Sequence, residues 1–287
     1  MLPITLAALW LHFFWCLVPS WRFGQYYEYG FLVPLLALGF AWRRAGMLGT
    51  TSPAALWQPG KLADGLLLAL AGIGLLALIP LRVIETGDPG WRPPVVLHGA
   101  MVTLATHLVL ARWRGWKVSA FFLPVSVFAW SAVPYLYQIE QGLVRHLTDM
   151  VVGLAHEVFL LSGQPVEQIG ARLAMGDRAV DVTDGCSGIR SIQSLVMAAL
   201  FFGELLWLRW PARVALVGSA LIAAVGCNTA RAWYLASVQF SRGEEAAHAA
   251  HDPAGHLAFA IAALLLYLAA RLLMPRASRR VVVRRKS

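Results

Sequence analysis

Apolar stretches recur along this chain, separated by short polar or basic breaks. They run from about Leu2 to Pro19, Phe31 to Trp42, Leu62 to Ile84, Val95 to Ala111, Val118 to Tyr137, Ser187 to Leu208, Val214 to Phe240 and Pro253 to Leu273. Several reach the roughly 20 residues that a helix needs to cross the hydrocarbon core of a bilayer. The pattern predicts an all-α polytopic membrane protein with about eight transmembrane helices. The second stretch is short unless its helix begins within the aromatic segment Trp21 to Gly30, whose rings suit the membrane interface. Short alternating segments of the kind that build membrane barrels are absent from the sequence.

One region breaks the rhythm. Between Ile139 and Leu161, the apolar residues Ile139, Leu143, Leu147, Met150, Val151, Leu154 and Val158 recur at helical spacing, with Glu140, Arg145, Asp149 and Glu157 between them. This predicts an amphipathic helix lying on the membrane surface or capping the bundle. Arg172 to Met175 and Arg178 to Val182 then flank Gly176-Asp177, the signature of a β-hairpin with a two-residue turn. The remaining breaks read as loops. Pro89-Gly90 and Pro93-Pro94 interrupt the segment from Glu85 to Pro94, Arg209 to Arg213 forms a turn, and Ser241 to Ala250 is a polar loop. Asp252 before Pro253 predicts the N-cap and first turn of the last helix.

Composition agrees with a membrane class. Of 287 residues, 59% are hydrophobic and only 14% charged, against about 25% charged in a soluble domain. The formal net charge is +9. Much of it lies between Arg276 and Lys286, where it reads as a topological signal rather than a nucleic-acid surface. With eight spans, Arg43, Arg44, Lys61, Arg112, Arg114, Lys117, Arg209, Arg213 and the tail fall on one side. The expectation is a single integral membrane domain, 1–287, with residues 276–287 as a basic cytoplasmic tail and both termini cytoplasmic. The first helix lacks a basic flank before it and is expected to be retained rather than cleaved. The amphipathic helix, the hairpin and the start of the sixth span then face outward.

Three cysteines, Cys16, Cys186 and Cys227, show no metal-ligand or CxxC spacing. Neither a metal nor a cofactor is expected. Cys186 stands apart because Asp184-Gly185-Cys186-Ser187-Gly188-Ile189-Arg190 is polar and glycine-rich, while the other two cysteines lie within apolar runs. A thiol at a helix start, near cations, has its thiolate stabilised. Gly188 permits close backbone approach, and free helix N–H groups can hold an oxyanion. Arg231 interrupts an apolar run, where a charge is costly and marks function by default. Asn228 precedes it by three residues on the same face. His251 is a candidate acid/base, with His248 and His256 as local competitors. Arg190, one turn beyond Cys186, either joins this site or anchors the interface. His12, His98, His107, His146 and His156 form no second cluster in the sequence.

The runs Cys186-Ser187-Gly188-Ile189-Arg190-Ser191, Asn228-x-x-Arg231 and His251-Asp252-x-x-Gly255-x-x-x-Phe259 together resemble the three signatures of the exosortase/archaeosortase family. Tyr29-Gly30 with Pro34 resembles its N-terminal region more weakly. A histidine in the third signature resembles the bacterial members. Asp184-Gly185 before the cysteine, and His256 where an aromatic is common, depart from the pattern. The resemblance implies a cysteine peptidase/transpeptidase in the bacterial inner membrane, with its site facing the periplasm. Its partners would be exported proteins with a C-terminal sorting signal: a Pro-Glu-Pro-type motif (PEP-CTERM), a transmembrane helix and a basic cluster. Membrane lipid surrounds it, and the acceptor is water, an amine or a lipid-linked group. Cys186, Arg231 and His251 would be catalytic, supported by Arg190, Asn228, Gly188, Gly255 and Asp252. The rival from another class is a non-enzymatic component of polysaccharide export or a small-solute transporter, for which Cys186 would be dispensable. A thiol redox protein is a further rival, disfavoured because Cys186 has no second outward-facing cysteine.

Overall fold

The computed structural model describes residues 2–24, 26–48, 61–88, 90–181 and 188–274. Cys186 and the basic tail therefore lie outside the described residues. Contacts divide the chain into two compact units, Met1–Tyr137 and Gln138–Ser287.

The first unit is helical. It contains α1 (Leu2–Phe23), a 3-10 turn (Glu28–Leu32), α2 (Val33–Ala45), α3 (Lys61–Gly87), α4 (Arg92–Arg114) and α5 (Trp116–Trp130). The predicted break at Pro93-Pro94 instead opens a helix, because proline in the first turn sacrifices only an N–H that has no intrahelical partner. The fifth helix stops at Trp130, short of the expected Tyr137. Tyr27, Tyr29 and Tyr135 belong to one polar-tipped aromatic cluster. Tyr27 Oη accepts from the Tyr135 backbone N–H at 2.9 Å, and Tyr29 Oη donates to the Ser131 carbonyl at 2.9 Å.

The second unit holds α6 (Tyr137–Leu161), the strands β1 (Glu167–Ile169), β2 (Arg172–Met175) and β3 (Arg178–Asp181), then α7 (Ile189–Leu205), α8 (Trp210–Arg242) and α9 (Glu244–Leu273). The expected helix over Ile139–Leu161 is present, but its buried face is rotated from the expected one. Val144, Leu147, Val151, Val152, Ala155 and Phe159 are buried, while Ile139 and Leu154 are exposed. The reason is the partner: Val151, Val152, Ala155 and Phe159 pack with Val166, Leu173 and Val180 of the sheet region and with Ala232, Ala236 and Phe240 of α8.

The hairpin forms in the expected register, Met175 opposite Arg178 across Gly176-Asp177. A third strand, β1, which the alternation did not reveal, pairs antiparallel with β2. On the outer face Arg172 donates to Asp181 at 2.6 Å, and this hydrogen bond holds the Asp181 carboxyl below the usual carboxylate range. The hairpin is moored to the end of α8, where Arg178 donates to the Phe240 carbonyl.

Two turns around α8 correct the expected loops. Trp210, Pro211 and Arg213 belong to α8 itself, and Arg213 reaches back to the fully buried Glu204 of α7 at 2.9 Å. At the other end, the expected polar loop Ser241 to Ala250 shrinks to Gly243. Its φ of +90° permits a reversal that a side chain would oppose. Glu244 and Glu245 then suit a helix N-terminus, and the alanines after them are strong helix formers. Consequently α9 begins at Glu244, Asp252 is not an N-cap, Pro253 sits inside the helix, and His251 lies within α9 rather than before it.

Among the described residues four helices are long and apolar enough to cross a membrane: Ile4–Phe23, Arg92–Arg114, Trp210–Arg242 and Glu244–Leu273. Helices α2 and α5, of 13 and 15 residues, are about 20 Å and 22 Å long, shorter than the hydrocarbon core. Large apolar side chains lie on the outside throughout, among them Ile4, Trp15, Leu35, Trp42, Ile222 and Leu272, each at least 70% exposed. In water such a surface would drive aggregation, whereas in lipid it is the solvated face.

Candidate active site

Helices α7, α8 and α9 pack against one another, α8 and α9 most extensively. Small residues are buried along these helices: Ala220, Ala223 and Ala224 on α8, and Ala247, Ala262 and Ala270 on α9. Without a hydrophobic drive between helices in lipid, such residues let backbones approach closely. The polar side chains of the three helices are thereby forced into short range.

Arg231 of α8 meets His251 of α9. Arg231 Nη2 lies 2.9 Å from His251 Nε2. Arginine only donates, so Nε2 is the acceptor and the ring proton resides on Nδ1. Nδ1 in turn lies 3.1 Å from Asp252 Oδ1, which accepts from it. Asp252, expected as a helix cap, instead orients the imidazole. That contact is exposed, the Asp252 side chain at 86%, so it biases the tautomer more than it adds stability. Arg231 Nε is buried and has no hydrogen-bond partner among the described residues. The guanidinium thus retains a donor for an incoming acceptor.

Gly255, one turn beyond His251, faces the guanidinium. A Cβ there would stand 3.5 Å from Arg231 Cζ, Nε and Nη2, ordinary contact that leaves little space for a longer side chain. Phe259, a further turn along, is 41% exposed. His248 and His256 are exposed within α9. His256 lies well inside the helix rather than in its first turn.

The start of α7 joins this arrangement through Gly188. Its φ is +75°, and a Cβ built on it would come within 2.8 Å of Asn228 Cγ and Nδ2. Asn228 is 5% exposed and lies one turn before Arg231 on α8. Both described ends of the segment carrying Cys186 are therefore held on α8, near Phe240 through Arg178 and at Asn228 through Gly188. Arg231 lies between those two anchor points in α8. Arg190, in the first turn of α7, is exposed.

This packing makes a test of its own. Gly188→Ala is expected to destabilise the α7–α8 contact. A residue with Cβ in the left-handed region costs about 1–2 kcal/mol, and Asn228 must also move. Gel-filtration recovery and the melting midpoint of the purified variant report the loss, while Gly142→Ala, at an open helical position, is expected to melt no lower than the parent, since alanine favours a helix interior over glycine. Equal melting of Gly188→Ala and the parent would show that the close approach carries no load.

An arginine within a helix long and apolar enough to cross a membrane, paired with a histidine that is itself oriented by a carboxylate, defines the class: a polytopic membrane protein with a polar site built among its C-terminal helices. The family model of the transmembrane exosortases matches residues 21–268, and the chain belongs to that family. No curated protein matches it, and no solved structure does. Membership of the family makes it an integral membrane protein of the protease/transpeptidase kind.

Proposed function

We propose that this exosortase is a thiol transpeptidase that cleaves the C-terminal sorting signal of exported proteins at the outer face of the inner membrane. The observation that carries the reading is the Arg231–His251 contact at 2.9 Å, reached from two different helices, with the residues after Cys186 docked one turn away at Asn228. Cys186 gives its proton to His251 Nε2, and its sulfur bonds to the substrate carbonyl carbon. Arg231 swings its donors from His251 to the carbonyl oxygen as that oxygen gains charge. The C–N bond breaks, His251 returns the proton to the departing amine, and a thioester remains on Cys186. An acceptor (water, an amine or a lipid-linked group) then gives its proton to His251 and attacks the thioester, restoring the thiol.

The test is cleavage, in membranes, of a reporter ending in a Pro-Glu-Pro motif, a transmembrane helix and a basic cluster. The parent is expected to release a shortened product. Arg231→Lys is expected to be badly impaired, because lysine keeps the charge but loses the planar fork that spans two acceptors. Parent-level turnover by Arg231→Lys would reduce Arg231 to a point charge, and an uncut reporter would refute the substrate class.

The same reading places both termini in the cytoplasm and Cys186 outside, in an eight-span arrangement supported by the one-sided distribution of Arg and Lys. In a variant lacking Cys16 and Cys227, a membrane-impermeant maleimide added to intact spheroplasts is expected to label Cys186. Labelling only after permeabilisation would invert the topology.

A further inference from the structure

A second cluster of reactive side chains lies in the first unit, among α1, α3 and α4. The sequence shows no spacing that announces it, yet His12 and His98, expected to belong to no cluster, are brought together there with Cys16 and Glu85. His12 and Cys16 are four residues apart on α1 and share one face. Glu85 lies in the last turn of α3, and His98 near the start of α4. One ligand atom from each of Cys16, Glu85 and His98 lies within 4.8 Å of the others. Cys16 Sγ is 3.9 Å from His12 Nε2, and the His12 and His98 rings are 5.7 Å apart.

The burial is deep on two of the three corners. His98 is 1% exposed and Glu85 5%. Glu85 is held at both oxygens, Oε1 by His98 Nδ1 at 3.0 Å and Oε2 by Arg82 Nη1 at 2.6 Å. Yet His98 Nε2 is buried with no hydrogen-bond partner among the described residues. His107, on the same helix, shows how this fold treats a structural histidine: Ser119 and Ser126 each stand 3.0 Å from one of its ring nitrogens. His98 has been left with one nitrogen to spare, on a ring whose other nitrogen meets Glu85. Buried polar atoms without partners are uncommon and call for a ligand, an ion or a water.

We infer that Cys16, Glu85 and His98 form a binding site for a divalent ion of the zinc class, with His12 available as the fourth ligand. The donor set is one sulfur, one oxygen and one or two nitrogens, the mixture borderline-soft ions take. With metal–ligand bonds of about 2.0–2.3 Å, tetrahedral donors stand roughly 3.3–3.8 Å apart, so modest side-chain movements close the shell. Binding releases the Cys16 proton to solvent. The thiolate and the Glu85 carboxylate then balance the two positive charges, while the Arg82 hydrogen bond at 2.6 Å orients the carboxylate, as outer partners of metal ligands do. The ion would tie α1 to α3 and α4.

Cobalt is the probe, because a thiolate bound to Co2+ gives a near-ultraviolet charge-transfer band. The starting protein is the full chain in detergent with Cys186→Ala and Cys227→Ala, so Cys16 is its only thiol. One Co2+ per chain, the band, its displacement by Zn2+, and a raised melting midpoint with Zn2+ are expected. Cys16→Ser in that background is expected to abolish the band. His98→Ala and Glu85→Gln are each expected to weaken Co2+ binding by at least about tenfold. Glu85→Gln keeps the shape of the side chain, so it separates lost ligation from lost folding. A starting protein with no band and no metal-dependent rise in melting overturns the site, as does Co2+ affinity unchanged by both His98→Ala and Glu85→Gln.

Discussion

Cys186→Ser is expected to lower processing of a sorting-signal reporter by about a thousandfold or more, while the protein still inserts. A serine is nearly the same size as a cysteine, so folding is expected to change little. What changes, in the proposed mechanism, is the nucleophile. A thiol is a few per cent thiolate at neutral pH and intrinsically reactive, whereas an alcohol needs its proton removed in the same step. Loss of a nucleophile from a site that acts as a unit removes nearly all of that unit's contribution. Cys227→Ala is the matched control. Cys227 precedes the buried Asn228 by one residue on α8 and is only partly buried, so most activity is expected to remain. Cleavage in membranes, normalised to inserted protein, separates the two. Equal loss in both variants would remove Cys186 from its role.

His251→Ala is expected to cost a factor on the order of 100 to 10,000, the usual worth of a positioned acid/base. His248→Ala and His256→Ala are expected to keep substantial activity. The distinction rests on the helix. Because α9 is continuous from Glu244, His251, Gly255 and Phe259 fall four residues apart along one face. On that face His251 meets Arg231 at 2.9 Å and Gly255 admits the same guanidinium. His248 and His256 are exposed, whereas it is His251 that meets the Arg231 guanidinium. A fully active His251→Ala, together with a dead His256→Ala, would move the proton transfer one turn along α9. It would also break the alignment of the third signature.

Much of the helical plan was legible because it depends on local properties. Hydrophobic runs and their period mark α1, α3, α4, α8 and α9, and Gly176-Asp177 marks the hairpin turn. The ends were less legible. Local pattern makes proline a breaker at Pro93-Pro94 and a helix start at Pro253, whereas it opens α4 and lies inside α9. Its effect depends on whether the missing N–H was needed, which the residue type does not say. The three-residue strand β1 is too short for alternation to show, and it exists because β2 offers a partner. The face of α6 was offset for a similar reason: it has apolar residues on more than one side, and the sheet and α8 select which are buried.

Residue type and spacing alone were enough for a polytopic helical membrane protein, for the exosortase signatures, and for Arg231 as a charge out of place in its surroundings, while His251 stood out from His248 and His256 only through the third signature. Those conclusions follow from residue type and spacing, which act over a few turns of chain. Only the tertiary structure decided that the Arg231 guanidinium donates to His251, that Asp252 orients the ring instead of capping a helix, and that Gly188 is pressed against Asn228. It alone brought Cys16, Glu85 and His98 to within 4.8 Å across three helices. Most of these contacts join residues on different helices, and they are set by how small side chains let helices approach, which no local pattern encodes.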